Sequence, residues 1–161
     1  MILVTVGSQL PFDRLVGPVA AWARSRGRHD LVFQHGGGRT SLAGFREAAS
    51  FKVEEMDRLF ASADLVVAHV GMGTILSCLE LGKPLVALPR SAQLRETRND
   101  HQFATARRFE GRPGIFIAWD ESQLDQLLDR ASELAAGPRI VSTASPQLIA
   151  CIRDFIHTPK S

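Results

Sequence analysis

Short apolar runs alternate with amphipathic stretches along the chain. Residues 2–6 form a β-branched run that ends at Gly7, and residues 31–33 form a second run, followed by three glycines. Between them, residues 13–25 carry apolar side chains at helical spacing. Strands that are apolar without interruption are typical of a parallel sheet covered on both faces. The pattern therefore predicts an α/β fold, with a parallel sheet between two layers of helices.

The same alternation continues to the end of the chain. Further strands are predicted at residues 51–53, 65–70, 85–88 and 114–119. Further helices are predicted at residues 56–63, 74–82, 99–109, 120–136 and 145–156. Gly82 is a natural helix stop, whereas Asp120 and Pro146 suit helix starts. We expect a single domain over residues 1–161, with a C-terminal helix over residues 145–157.

The composition is that of an ordinary globular domain. Of the 161 residues, 45% are hydrophobic and 22% are charged, which excludes disorder. The formal net charge of +2 gives no reason to expect a nucleic-acid partner. Cys78 and Cys151 stand outside any pairing or zinc motif and suit a reducing compartment. Because the sequence has neither a signal segment nor an apolar run of about 20 residues, we expect it to be cytoplasmic.

The most informative motif joins a predicted strand to a predicted helix at residues 69–74, His-Val-Gly-Met-Gly-Thr. Such a turn directs backbone N–H groups and the positive end of a helix dipole towards one point. Glycines also let a phosphate approach the backbone closely. The motif is equally compatible with a diphosphate site and with a tight turn, since it is neither a Walker A loop nor a complete dinucleotide-binding motif.

Three other segments carry candidate chemistry. Gly7-Ser8-Gln9 ends the first strand, residues 34–38 place three glycines after the second, and residues 99–102 bring four polar side chains to a helix start. Each has a structural alternative: a plain connection, a flexible loop and a helix cap. His69 and His101 are the candidate general bases, although a histidine at a strand end is more often a structural hydrogen-bonding residue.

Together these segments resemble the C-terminal domain of glycosyltransferase family 28, from residue 2 to about residue 155. The resemblance is closest to the small stand-alone proteins of that type, which serve bacterial exopolysaccharide and eukaryotic dolichol-linked oligosaccharide synthesis. It implies a Rossmann-like domain, the C-terminal half of a GT-B fold, that binds a UDP-sugar at the carboxyl edge of its sheet. The site residues it implies are Gly7, Ser8, Gln34, His35, Gly36, Val53, Met56, His69, Gly71, Met72, Gly73, Thr74, Ser77, Arg98, Asp100, His101 and Gln102.

Within that resemblance each segment has a part. The turn at residues 71–74 receives the diphosphate, with Gly7 and Ser8 beneath it, and His35 and Gly36 belong to a loop that closes over the nucleotide. The backbone near Val53 reads the uracil. His101 and Gln102 hold the hydroxyls of the donor sugar.

One position departs from the family pattern. Many members have a glutamate that holds the ribose hydroxyls where this chain has Ser77. A hydroxyl can make only one weaker bond where a carboxylate accepts two. Glu80, the nearest acid along the helix, lies three residues further on and is expected to face elsewhere.

The resemblance also implies a partner. A GT-B enzyme has two such domains, so we expect a membrane-associated acceptor-binding subunit that contacts a polyprenyl-diphosphate-linked acceptor, supplies the catalytic base and recruits this chain to the inner face of the membrane. Neither a metal nor a cofactor is expected besides the UDP-sugar. The apolar stripe of the last predicted helix either covers this partner or packs on the chain's own sheet.

The donor sugar is the least determined part. Arg90, Arg95 and Arg98 precede the sugar-binding pair, and a guanidinium suits a carboxylate, which favours UDP-glucuronic acid over an uncharged hexose. The same arginines also suit a surface or a partner contact. Two other functions stay open: a non-catalytic nucleotide-sugar-binding or enhancer subunit of a transferase, and an epimerase-like enzyme, which the single domain disfavours.

Overall fold

The chain folds as a parallel sheet with helices on both faces, in a computed structural model that describes residues 1–141 and 143–157. The strands of this part are β1 (Ile2–Thr5), β2 (Leu31–Gln34), β3 (Arg46–Ala48), β4 (Leu65–His69), β5 (Leu85–Leu88) and β6 (Ile115–Ile117). The helices are α1 (Asp13–Ser25), α2 (Val53–Ser62), α3 (Met72–Leu81), α4 (His101–Phe109), α5 (Glu121–Asp129) and α6 (Pro146–His157), with a 3₁₀ turn at Ala131–Glu133.

The strand order is β3-β2-β1-β4-β5-β6, and every neighbouring pair is parallel. Leu3 of β1 pairs with Val32 on one side and with Val66 of β4 on the other. The chain therefore builds outwards in both directions from β1 and β4, and the crevice where ligands bind in such sheets lies beyond the carboxyl ends of these two strands. The predicted Rossmann-like α/β fold is confirmed.

Alternating strand residues supply two separate hydrophobic layers. Val4 and Val67 face α1 and α5, where Leu15 and Leu124 are fully buried. Leu3 and Val66 face α2, α3 and α4 on the other side. Since both faces of the sheet are covered, the central strands read as continuous apolar runs, and β1, β2, β4 and β5 were the easiest elements to predict.

The prediction of a strand at residues 51–53 is wrong. The third strand is β3, where Arg46 pairs with Val32 at the edge of the sheet and both Arg46 and Glu47 are exposed. An edge strand has only one neighbour and needs no apolar run, so hydrophobicity does not mark it. Val53 instead begins α2.

The helix predicted at residues 120–136 is also too long. Asp120 caps it as expected, accepting a hydrogen bond from the Gln123 amide at 2.8 Å, but α5 ends at Asp129. A Cβ atom on Gly137 would overlap the carbonyl oxygen of Pro113, so the chain after α5 lies tightly against the loop before β6. The other helix ends differ from prediction by up to three residues.

The predicted C-terminal helix is confirmed as α6, but it does not pack into either hydrophobic layer. None of its residues is buried, and Leu148, Ile149, Ile152, Phe155 and Ile156 are between 44% and 73% exposed. Of the two alternatives for its apolar stripe, packing on the chain's own sheet is therefore the one that the structure does not show.

Candidate functional site

Two glycine turns meet at the crevice, one after β1 and one after β4. Gly7 has a φ of +78°, and a Cβ atom there would lie 2.6 Å from Cε1 of His69. A Cβ atom on Gly71 would overlap the same imidazole ring. The His69 ring thus fills the space between the two turns, and both turns need a residue without a side chain.

His69 is held as a neutral residue in this position. Its Nδ1 atom is buried and has no hydrogen-bond partner among the described residues. Burial, helped by the nearby Arg90 guanidinium, lowers the pKa of His69 to about 4, against a smaller opposing hydrogen bond to the Thr5 backbone. At neutral pH the ring is therefore uncharged and a poor general base, which favours a structural role over proton transfer.

Helix α3 begins at this crevice, and its amino end faces the space beside the two turns. Gly71 is its N-cap, and no side chain caps it. The N–H groups of the first turn of a helix have no partner within the helix, and they carry the positive end of its dipole. A Cβ atom on Gly73 would meet nothing within 4 Å, so the fold does not require glycine there.

Two cavities open on either side of these turns. The first has a volume of about 460 Å³ and lies towards β5 and α4. The second has a volume of about 300 Å³ and lies towards α2. Gly7, Ser8, Gly73 and Thr74 line both cavities. A ligand that fills both cavities would therefore cross the amino end of α3 at the boundary between them.

The second cavity has an apolar wall and a polar rim. Val53, Met56 and Phe60 come from one face of α2, and Phe51 precedes them. Thr5, Gln34, Ser50, Asp57 and Ser77 supply the polar side chains. An apolar wall with a few polar groups suits a flat heteroaromatic ring attached to a polar sugar.

Gln34 lines this cavity, but its side-chain amide is hydrogen-bonded to other groups of the protein. Its Oε1 accepts hydrogen bonds from the Thr5 hydroxyl (2.7 Å) and the Val6 amide (3.2 Å). Its Nε2 donates to the carbonyl oxygens of Gly7 (3.0 Å) and Ala49 (2.8 Å). Because the buried Gln34 bonds both the Val6 amide and the Gly7 carbonyl oxygen, it holds the turn at Gly7 in place.

His35 and Gly36, the residues of the glycine-rich loop after β2 that were expected to close over the nucleotide, do not line either cavity. His35 Nε2 lies 2.6 Å from a carboxylate oxygen of Glu47, on β3. Gly36 has a φ of +64° and packs against the end of β1, since a Cβ atom on Gly36 would lie 3.0 Å from Cγ2 of Val6.

The first cavity is bounded by the segment that joins β5 to α4. His101 and Gln102 line it as predicted, and Gln102 accepts a hydrogen bond from the Arg90 amide at 3.1 Å. Asp100 instead accepts a hydrogen bond from the Ala92 amide at 2.8 Å and borders a different cavity. Arg98 is exposed and does not line the first cavity.

Arg90 fastens this segment to the turn after β1. Its guanidinium donates to the carbonyl oxygens of Val6 (2.9 Å), Leu10 (2.6 Å), Pro11 (2.8 Å) and Glu96 (3.2 Å). The side chain of Glu96 is in turn paired with Arg14, at 2.7 Å. Arg90 is only 4% exposed and its guanidinium is bound to four carbonyl oxygens, so it shapes the cavity and is not free to bind a substrate carboxylate.

Several lining residues were not predicted from the sequence. In the first cavity they include Leu10, Glu96, Thr97 and Thr105, and in the second Thr5, Ser50, Phe51, Asp57 and Phe60. The i, i+3, i+4, i+7 spacing of Val53, Met56, Asp57 and Phe60 was the signal available for Asp57 and Phe60 in the second group. No comparable pattern marks the first group, whose members come together only through the strand order.

Residues 1–147 match the family model described as glycosyltransferase family 28 C-terminal domain. The chain is 34% identical over 180 residues to the UDP-N-acetylglucosamine transferase subunit ALG13 of Mus musculus, covering 96% of this chain. It is 27% identical over 135 residues, 75% of its length, to the UDP-N-acetylglucosamine--N-acetylmuramyl-(pentapeptide) pyrophosphoryl-undecaprenol N-acetylglucosamine transferase of Legionella pneumophila strain Lens. It spans 15% and 36% of these two relatives.

Among solved structures, the NMR solution structure of ALG13 has the same fold. The two chains align with a TM-score of 0.59 at 20% identity, over 98% of this chain and 96% of the other.

Proposed function

The chain belongs to the family of glycosyltransferase family 28 C-terminal domains, and on that premise we propose that it is the donor-binding subunit of a UDP-sugar-dependent glycosyltransferase. Its sheet is the Rossmann-like C-terminal half of a GT-B fold. The proposal concerns what the crevice holds and which further subunit completes the enzyme.

The observation that carries the proposal is the pair of cavities that share Gly7, Ser8, Gly73 and Thr74. A UDP-sugar consists of a nucleoside and a sugar on either side of a diphosphate. The cavity beside α2 suits the nucleoside, and the cavity beside α4 suits the sugar. Their shared boundary is the amino end of α3, where N–H groups and the helix dipole favour a diphosphate.

The same geometry accounts for the chemistry that this chain would contribute. Transfer leaves negative charge on UDP, and preorganised N–H donors at Met72, Gly73 and Thr74 stabilise that charge without a metal ion. His69 lies beside this position, but its pKa of about 4 makes it a weak base. The base that activates the acceptor hydroxyl is therefore proposed to lie on the partner.

The proposed donor is UDP-glucuronic acid, with two exposed arginines, Arg95 and Arg98, left to recognise its carboxylate. Arg90 is occupied by four carbonyl oxygens. Arg98 is exposed near the first cavity and would have to turn inwards to bind. The second candidate is UDP-N-acetylglucosamine, favoured by the names of both relatives. If glucuronic acid is the donor, Arg98→Ala weakens UDP-glucuronic acid but not UDP. If both weaken equally, this donor is wrong.

The proposed acceptor is a polyprenyl-diphosphate-linked saccharide of exopolysaccharide synthesis, presented by a membrane-associated partner subunit. No helix in the described part of the chain is long and apolar enough to span a membrane. Helix α6 offers its exposed apolar stripe to that partner. The bacterial relative, whose name includes pyrophosphoryl-undecaprenol, supports this class of acceptor.

The proposal is tested by calorimetric titration of the chain with UDP, UDP-glucuronic acid, UDP-N-acetylglucosamine and UDP-glucose, followed by a transfer assay with the co-expressed acceptor subunit. Saturable binding of UDP and transfer by the mixture would support a catalytic donor subunit. Binding without any transfer would favour the alternative, a non-catalytic nucleotide-sugar-binding or enhancer subunit. Absence of UDP binding both alone and with the partner would overturn the proposal.

A further inference from the structure

The cavity beside α2 contains one acidic side chain on an otherwise apolar helix face. Val53, Met56, Asp57 and Phe60 are spaced so that all four lie on the same side of α2, and all four line the cavity. Across the cavity, Gly73, Thr74 and Ser77 come from one face of α3. Asp57 is the only carboxylate among the described residues that line this space.

The carboxylate of Asp57 forms no ion pair or hydrogen bond with the residues that the structure describes. Arg58, the next residue along α2, donates from Nε to the Glu54 carbonyl oxygen at 3.0 Å, and Arg46 of β3 pairs with Glu55 at 2.6 Å. The Asp57 carboxylate therefore keeps its full capacity to accept hydrogen bonds from a ligand.

The other polar groups of the cavity cannot replace it. The Gln34 amide is committed to four protein groups. Ser50 and Ser77 each offer a single hydroxyl. The vicinal 2′- and 3′-hydroxyls of a ribose present two adjacent donors, and a carboxylate is the side chain that accepts both at once.

We propose that Asp57 is the specificity-determining residue that accepts the ribose hydroxyls of the donor nucleotide from helix α2, a role that the single hydroxyl of Ser77 on α3 cannot fill for both of them. The inference rests on the proposed function, since it assumes that a uridine nucleotide occupies this cavity. With the base against Val53, Met56 and Phe60, the ribose lies between the base and the diphosphate at Gly73 and Thr74. On α2, Asp57 lies about one turn after Val53 and about one turn before Phe60.

The test compares UDP with 2′-deoxy-UDP, titrated into the full chain in the presence of the partner subunit if the partner is needed for binding. Wild type is expected to bind UDP about tenfold more tightly than 2′-deoxy-UDP, the worth of one hydrogen bond to a charged group. Asp57→Ala is expected to weaken UDP about tenfold more than it weakens 2′-deoxy-UDP, because UDP loses its bonds to both hydroxyls and 2′-deoxy-UDP loses only the bond to the 3′-hydroxyl, so that the discrimination disappears. The matched control is Glu54→Ala, which removes an exposed acid of the same helix outside the cavity lining.

Three results separate this inference from the proposed function. Loss of discrimination in Asp57→Ala, with Glu54→Ala like wild type, supports it. Retained discrimination in Asp57→Ala, or an equal loss of affinity for both nucleotides, overturns it while the donor site stands. If wild type binds neither nucleotide, alone or with the partner, the proposed function fails and this inference fails with it.

Discussion

A Cβ atom on Gly7 would lie 2.6 Å from Cε1 of His69, so the turn after β1 and the end of β4 are separated by no more than an imidazole ring. This contact brings together two segments that are far apart in sequence. It also places Gly7 beside the amino end of α3, where both cavities meet. The crevice is therefore built by close approach of two backbone turns, which only residues without a side chain allow at Gly7 and Gly71.

Replacement of Gly7 by alanine should destabilise the fold. The residue has a φ of +78°, and the added methyl group would collide with His69. Strain of this backbone conformation and overpacking together are expected to lower the free energy of unfolding by about 2–4 kcal/mol, measured by urea denaturation. The control is Gly37→Ala, where φ is +80° but nothing lies within 4 Å. A loss in Gly37→Ala as large as in Gly7→Ala would contradict the role of the His69 contact.

Replacement of Gly73 by alanine should separate ligand binding from stability. The methyl group meets no protein atom, and alanine favours a helix, so the free energy of unfolding should stay the same or rise by up to about 1 kcal/mol. The methyl group would occupy the boundary between the cavities, and UDP affinity should fall roughly tenfold or more, equivalent to about 1.4 kcal/mol. Unfolding and calorimetric titration of the same sample measure both. Unchanged UDP affinity would argue against a diphosphate at this turn.

His69 should make the fold less stable in mild acid. Because burial lowers its folded pKa from 6.5 to about 4, the unfolded chain takes up a proton that the folded chain does not. Stability from this residue is fully present above about pH 6.5 and is lost as the pH falls towards 4, by about 3 kcal/mol in total. Urea denaturation between pH 7.5 and 4.5 would show it as a difference between wild type and His69→Gln that shrinks with falling pH. A constant difference would contradict the low pKa.

Truncation of the chain after Ser145 should leave the domain folded and abolish association with the partner subunit. Helix α6 contributes no buried residue, so the free energy of unfolding should change by less than about 1 kcal/mol. The exposed apolar stripe would be lost. Co-purification with a candidate acceptor subunit, alongside denaturation of the isolated domain, measures both effects. A truncated chain that still binds this subunit with wild-type affinity would show that the stripe is not the contact.

Much of the fold followed from hydrophobicity alone, because both faces of the sheet are buried. The four inner strands are continuous apolar runs, and Gly82 ends α3 in a left-handed conformation, as its position suggested. The edge strand β3 was missed, since Arg46 and Glu47 need no apolar neighbours there. Helix α5 was overextended because the packing of Gly137 against Pro113, far from it in sequence, has no local signal.

The site was predictable to a lesser extent. The glycine turns at Gly7 and Gly71 could be recognised, but the His69 ring that requires both could not, because that contact depends on the pairing of β1 with β4. Arg90 was interpreted as a possible carboxylate ligand, and only the structure shows its guanidinium bound to four carbonyl oxygens. Charge in a sequence indicates what a side chain can bind, whereas burial determines whether it is free to do so.

Binding of the donor diphosphate at this crevice is tested most directly by a ¹⁵N–¹H NMR titration of the chain with UDP. We expect saturable shifts of the Gly7, Ser8, Met72, Gly73 and Thr74 amides, the residues at the amino end of α3 and the turn beside it. Amides of α2 that border the nucleoside cavity should move with the same affinity, while those of α6 should not. Shifts confined to residues outside both cavities, or none with the partner present, would contradict the proposal that this crevice holds the donor diphosphate.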